Sequence, residues 1–185
     1  HTAGFHPHPY VSIPLPLPLR FSSHCELMEF GLEEGCTMEE LPQKMNQVLP
    51  AGIVIHDCYE GGLPFRALSF VRYDISLEFD GNLAQAAGEA FQELVSRDHF
   101  IVQKRSKKSK RGFTEVDLIP LIEGVETVQA QGDTLSLTLL LQAQNPGLSP
   151  SVLLQGFQTA YPSFVPVYSS CHRREILDQE KNVYR

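Results

Sequence analysis

The sequence lacks the cysteine patterns that hold metals or clusters. Cys25, Cys36, Cys58 and Cys171 are scattered, without zinc-site or disulfide spacing. Scattered thiols of this kind fit a reducing, cytoplasmic compartment. A Cys-x-x-x-Cys-x-x-Cys triplet is absent, so no iron–sulfur cluster of that type is expected in this chain. There is no glycine-rich phosphate loop, no Gly-x-Ser-x-Gly and no His-Glu-x-x-His, which removes the P-loop, serine-elbow and zincin readings. No segment reads as a secretory signal, and the apolar run Val11–Leu19 is too short and too rich in proline to span a bilayer. A membrane is therefore not an expected partner. Positive charge is also scarce: 15 Lys and Arg stand against 22 Asp and Glu, a net charge of −7. The molecule as a whole does not attract nucleic acid.

The scarce positive charge is concentrated in one place. Lys104, Arg105, Lys107, Lys108, Lys110 and Arg111 put six of the 15 basic residues into eight positions. Such a run is either a solvated hairpin tip or a finger that neutralises phosphates and steers a polyanion to one face. Phe100 and Phe113 are the nearby aromatics. Glu115 and Asp117 alternate with Val116 and Leu118, so both carboxylates face one side of a strand. Paired carboxylates can do acid–base work. The simpler reading is a polar outer face, with Glu115 balancing the cationic run.

The other concentrated feature is Gly4–Leu19, where His6 and His8 sit beside prolines and a Pro-Leu alternation follows. Proline fixes φ and removes a donor, so this is an extended or edge segment. His6 and His8 would point the same way from it. They could ligate a metal, transfer protons or donate to a phosphate, or else pack on the prolines and bond backbone carbonyls. No third ligand is identifiable, so no metal site is assigned.

Hydrophobic residues make up 42% of the 185 positions and charged residues 20%, an ordinary globular balance for one large or two small domains. The patterns predict a turn at Ser22-Ser23, a strand over His24–Leu32, and a helix after Thr37 and Glu40, its start shifted by Pro42 and its end set by Pro50. A strand over Gly52–Tyr59 follows. Next come a strand over Ser69–Phe79 and a helix capped by Asn82 that runs to Ser96. Strands flank the basic run. A hairpin turns at Gln131-Gly132-Asp133, Ser149-Pro150 opens a helix, and Val165–Ile176 is the last strand. The charged end beyond Asp178 should fray. The fold class is α+β: two ferredoxin-like halves with mainly antiparallel sheets covered on one face by helices. The halves are 1–62 and 63–178, with a tail over 179–185.

Gly-Phe-His-Pro-His-Pro at 4–9, the Pro-Leu-Pro-Leu that follows, the basic run, Thr114-Glu115-Val116-Asp117-Leu118 and Pro120-Leu121-Ile122 together resemble the radical-SAM-linked protein family. That bacterial family stands beside, or fused behind, cobalamin-binding-type radical SAM proteins. The resemblance covers most of the chain. It departs at Tyr10, where the family usually has lysine, at Arg20, usually glycine, and at Ile119, usually arginine. The family pattern also implies a strand and a helix ahead of residue 4, so the first half is expected to lack them here.

The resemblance implies an accessory substrate-docking domain, RNA-binding, serving a radical SAM enzyme of RNA modification in the same or an adjacent polypeptide. The iron–sulfur cluster and S-adenosylmethionine would belong to that partner domain and not to this chain. RNA contact would fall to Lys104, Arg105, Lys107, Lys108, Lys110 and Arg111. Two other readings stay open: a stand-alone RNA-modifying or hydrolytic enzyme using His6 and His8, and a module that only binds protein.

Overall fold

The structure, a computed structural model, describes residues 10–32, 37–105 and 112–184. His6, His8, Lys107, Lys108, Lys110 and Arg111 lie outside the described residues. The elements are β1 (Val11–Ser12), β2 (Phe21–Ser23), β3 (Glu29–Phe30), α1 (Leu41–Asn46), β4 (Phe70–Glu78), α2 (Ala84–Val95), β5 (Ile101–Arg105), β6 (Phe113–Asp117), β7 (Ile122–Gln131), β8 (Thr134–Gln142), α3 (Pro150–Ala160) and β9 (Tyr168–Leu177). The class is α+β, with sheets that are mainly antiparallel. Two compact units form: described residues 10–16 with Leu27–Phe65, and Leu17–Glu26 with Arg66–Tyr184.

In the smaller unit β1 and β3 pair antiparallel through Val11↔Phe30 and Ser12↔Glu29. The Tyr10 hydroxyl donates to Glu29 Oε2 at 3.1 Å. Pro42 does not delay α1. It sits in the first turn, where its missing N–H costs nothing. The predicted strand over Gly52–Tyr59 is absent, and Asn46 supplies the reason. Its side-chain amide donates to Ile55 O at 2.9 Å and its oxygen accepts from Ile55 N at 2.7 Å. A side chain thus takes both backbone groups that a ladder would need.

The larger unit is built on one sheet of order β2-β9-β4-β8-β7. All neighbours are antiparallel except β2 and β9, which run parallel. The alternation of β4 buries Val71, Tyr73, Ile75 and Leu77 on one face. The register sets Leu135, Leu137, Leu139 and Leu141 of β8 beside them. The buried stripes of α2 and α3 meet through Phe91 and Phe157, whose rings stand edge to face with centroids 5.7 Å apart. A fully buried leucine stabilises by roughly 1.5–3 kcal/mol, so this face governs the unit.

Tertiary pairing also overrides the local signal at Ser22-Ser23. The predicted turn is a strand, registered on His172 and Arg173. The predicted strand over His24–Leu32 is reduced to β3. Asn82 does not cap α2. It has φ 59°, and its N–H donates to Asp133 Oδ1 at 3.0 Å. The end of the chain does not fray through residue 184: Tyr184 is buried, and its N–H donates to Ile176 O at 2.9 Å. The Thr37–Glu40 capping box does not form: Glu40 is the N-cap of α1, makes no side-chain cap bond and accepts from Lys44 Nζ at 2.7 Å instead. The β7–β8 turn and the α3 cap hold. Gly132 supplies φ 58° between β7 and β8, and Ser149 Oγ accepts from Ser151 N at the start of α3.

Candidate nucleic-acid interface

Two strands frame the cationic run. β5 and β6 form an antiparallel hairpin of their own, with Ile101↔Asp117, Gln103↔Glu115 and Arg105↔Phe113 on one side and Val102↔Val116 and Lys104↔Thr114 on the other. The root of this hairpin is fixed from beneath by α3. A Cβ on Gly156 would meet Val102 Cγ1 at 2.9 Å and Phe100 Cε1 at 3.0 Å, so only glycine lets the helix lie this close. Val102 therefore marks the inner side. Ile101, Gln103 and Glu115 on the other side are exposed. Phe100 is buried and unavailable to a base, whereas Phe113 is 37% exposed at the register position of Arg105. Lys104 is exposed near the far end.

Glu115 stands on the outer face, as its alternation suggested, but Asp117 is not a solvated surface residue. Its Oδ1 accepts from the N–H of Phe100 at 2.9 Å and of Ile119 at 3.2 Å, and its Oδ2 bonds His99 Nδ1 at 2.6 Å. The bond to His99 and the two amides hold its carboxyl below the usual carboxylate range. The His99 side chain is 74% exposed. Sequence reasoning missed this pair. An Asp that ends a strand directly before Leu-Ile-Pro is a signal for backbone anchoring. His99 could be joined to it only through the β5–β6 register.

A second imidazole was also missed. His172 Nδ1 lies 2.8 Å from Ser22 Oγ, and His172 Nε2 lies 3.2 Å from His24 Nδ1. This Ser-His-His chain fastens β2 to β9, and both ring nitrogens of His172 are occupied within it. Its neighbour Cys171 is buried, which pushes the thiol up to about 11, so Cys171 is no nucleophile at neutral pH. Burial also raises Cys25, whose Sγ lies 3.6 Å from Arg173 O. Among the described residues no group of three His, Cys, Asp or Glu could hold a metal ion. No helix of the described residues is long and apolar enough to cross a membrane.

The β5–β6 hairpin thus has a root fixed by α3 and, in sequence, a cationic run between its two strands. Residues 1–150 match the family described as an uncharacterized protein conserved in bacteria (DUF2344), and the chain belongs to that family. No curated protein and no solved structure matches it.

Proposed function

We propose that this chain is an accessory substrate-docking domain that holds RNA for a radical SAM enzyme of RNA modification, with the iron–sulfur cluster and S-adenosylmethionine in that partner domain. The observation that supports the reading is the β5–β6 hairpin: its root is anchored under α3, exposed Lys104 lies toward its far end, and in sequence the run that holds Arg105, Lys107, Lys108, Lys110 and Arg111 joins its two strands. The radical SAM partner rests on the sequence resemblance. The larger unit is read as ferredoxin-like. If β4, β7, β8 and β9 count as strands one to four, their order β9-β4-β8-β7 is the 4-1-3-2 arrangement of a β-α-β-β-α-β unit. The β5–β6 hairpin is then an insertion after α2. The smaller unit would be the second such half, short of its first strand and helix.

Ferredoxin-like domains that bind RNA on the sheet stack bases on exposed aromatics. The sheet face turned away from α2 carries Arg72, Asp74, Ser76, Ser136 and Thr138. Phe70 lies on that side of β4, but with the Lys181 ammonium 5.9 Å from its ring centroid. Tyr168, which registers on Glu78 on the same face, is 58% exposed; the hairpin is preferred for the six cations concentrated in its run. Its test is fluorescence anisotropy with short single-stranded RNA over a salt series. Replacing Lys107, Lys108 and Lys110 by Ala should weaken binding uniformly across sequences and lower the log–log salt slope by about 0.7 per lost contact. Stability should change by no more than about 0.5 kcal/mol. An unchanged slope and affinity would leave the run a solvated tip, and no RNA binding at low salt would end the RNA reading.

A further inference from the structure

We infer that His99 is a phosphate-binding position at the root of the hairpin, held in place by Asp117, so that a polyanion contacts both ends of the β5–β6 ribbon. The inference rests on the RNA-docking reading for the identity of the polyanion, but its geometry is independent of the basic run.

The ring is held from one side only. Nδ1 is taken up by Asp117 Oδ2 at 2.6 Å, and Nε2 has no partner among the described residues. Asp117 itself cannot swing away without breaking its bonds to Phe100 N and Ile119 N. These three N–H···O contacts fix the carboxylate, and through it the direction in which Nε2 points. A preorganised donor binds an anion without first losing rotamer freedom. In the protonated ring both nitrogens donate. Nδ1–H is committed to Asp117, and Nε2–H becomes the outward donor of a charge-assisted bond. In the neutral ring with its proton on Nδ1, Nε2 presents a lone pair that repels an oxyanion. Anion affinity at this position must therefore fall as pH rises through the range in which imidazoles titrate.

The charged neighbours do not cancel this. Asp117 is satisfied by its three donors. Arg97, two residues before, is engaged by Glu93 Oε1 at 2.8 Å and by the Tyr161 hydroxyl at 2.8 Å. Asp98 adjoins in sequence, and Glu115 lies two positions back on the same side of β6 as Asp117. Both are carboxylates that a bound phosphate would feel as repulsion, so the position favours a ligand that is also held elsewhere. Five residues of extended chain, roughly 17 Å, separate His99 from Lys104. An oligonucleotide can reach both, while a single phosphate can occupy only one. Exposed Ile101 lies between them on the outer side of β5, and Phe113 lies one register position beyond Lys104; both offer apolar surface to bases.

The test follows the side-chain nitrogens of His99 by two-dimensional ¹H–¹⁵N NMR against pH, with inorganic phosphate as one probe and a decamer of oligouridylate as the other. RNA affinity is measured in parallel from about pH 5 to 8. Both probes should move the Nε2 resonance and raise the titration midpoint of the ring. RNA affinity of the parent should fall about tenfold across this range, the worth of one hydrogen bond to a charged group. In His99→Gln the affinity should be flat with pH, and at the acid end of the range the salt slope should fall by about 0.7, the loss of one phosphate contact. Asp117→Asn, which acts by positioning, should lose most of the pH dependence with the ring still present. The inference is overturned if His99→Gln keeps the parent pH dependence, or if neither probe moves His99. If phosphate moves His99 but RNA does not bind at all, the docking proposal fails and the anion site stands. If the lysine variants lose RNA binding while His99 stays silent, docking stands and this inference falls.

Discussion

His172 and His99 are both held at Nδ1 by an oxygen, Ser22 Oγ at 2.8 Å in one and Asp117 Oδ2 at 2.6 Å in the other. They differ at the second nitrogen. His172 Nε2 closes onto His24, so the ring ties β2 to β9 with nothing left over. His99 Nε2 is open. The two surroundings differ in the same sense. Around β2 the polar groups meet one another: Arg173, 3% exposed, takes both oxygens of Glu26 at 2.8 and 2.9 Å and packs on Tyr73. At the β5–β6 root a single carboxylate gathers two amides and one ring. The first region is closed on itself and structural. The second is fastened from behind and leaves a donor facing out. An imidazole becomes a candidate site when its first nitrogen is fixed and its second is not.

The comparison breaks most visibly at the buried cation. Glu26→Ala strips the Arg173 guanidinium of its carboxylate inside the β2–β9 edge. Removing one partner of a buried pair is strongly destabilising, and Glu26 retains about a third of its exposure, so the loss should lie near the low end, about 3 kcal/mol in urea unfolding. RNA affinity of the folded fraction should not change. A loss below about 1 kcal/mol would mean that the edge is held by backbone pairing alone and that the contrast between the two regions is overdrawn.

A smaller effect is expected at the hairpin root. The folded-state pKa of Asp117 is depressed, by His99 first and the two amides after it. Its contribution is therefore complete above the ordinary carboxylate range, about pH 4, and is lost as pH falls through the lower folded value. The parent should show an acid limb in its melting temperature below that range. Asp117→Asn should melt lower at pH 7 and show a flatter limb, converging on the parent in acid. Parallel curves from pH 7 to 3 would mean that Asp117 is a surface residue after all.

The parts of this picture that local chemistry controls were legible in the sequence. The alternation of Val71, Tyr73, Ile75 and Leu77, the Gly132-Asp133 turn and the Ser149 cap are short-range signals, and each forms as read. The strands on either side of the basic run were legible for the same reason. What decides the two histidines is long-range. Ser22 and His172 are 150 positions apart and meet through a parallel pairing that no local pattern announces. Asp117 looked like surface alternation because its partners depend on where α2 ends and how β5 registers on β6. Ile53-Val54-Ile55 read as a strand because its apolar run is sound, and it fails as one because Asn46 occupies the Ile55 backbone.

The smallest effect sharpens the same contrast at the entry to β2. Phe21 N–H donates to Pro18 O at 3.2 Å, closing a turn whose third residue, Arg20, has φ 70°. Turns with a positive φ at that position take glycine, because any Cβ there is crowded by the backbone. The sequence resemblance places glycine at this position too. An L-residue in the left-handed region costs on the order of 1–2 kcal/mol, and glycine gives back about 0.5–1 kcal/mol through its freer unfolded chain. Arg20→Gly should therefore stabilise the protein by about 0.5–1 kcal/mol, a rise in melting temperature of about 1–4 °C for a chain of this size. Arg20→Ala is the control. It removes the charge and the long side chain but keeps the Cβ, so it should leave the melting temperature where it is. If Ala stabilises as much as Gly, the guanidinium was the source of the strain. If neither does, the turn is set by the pairing of β2 with β9, and the closed region tolerates a strained entry because its interior contacts over-determine it.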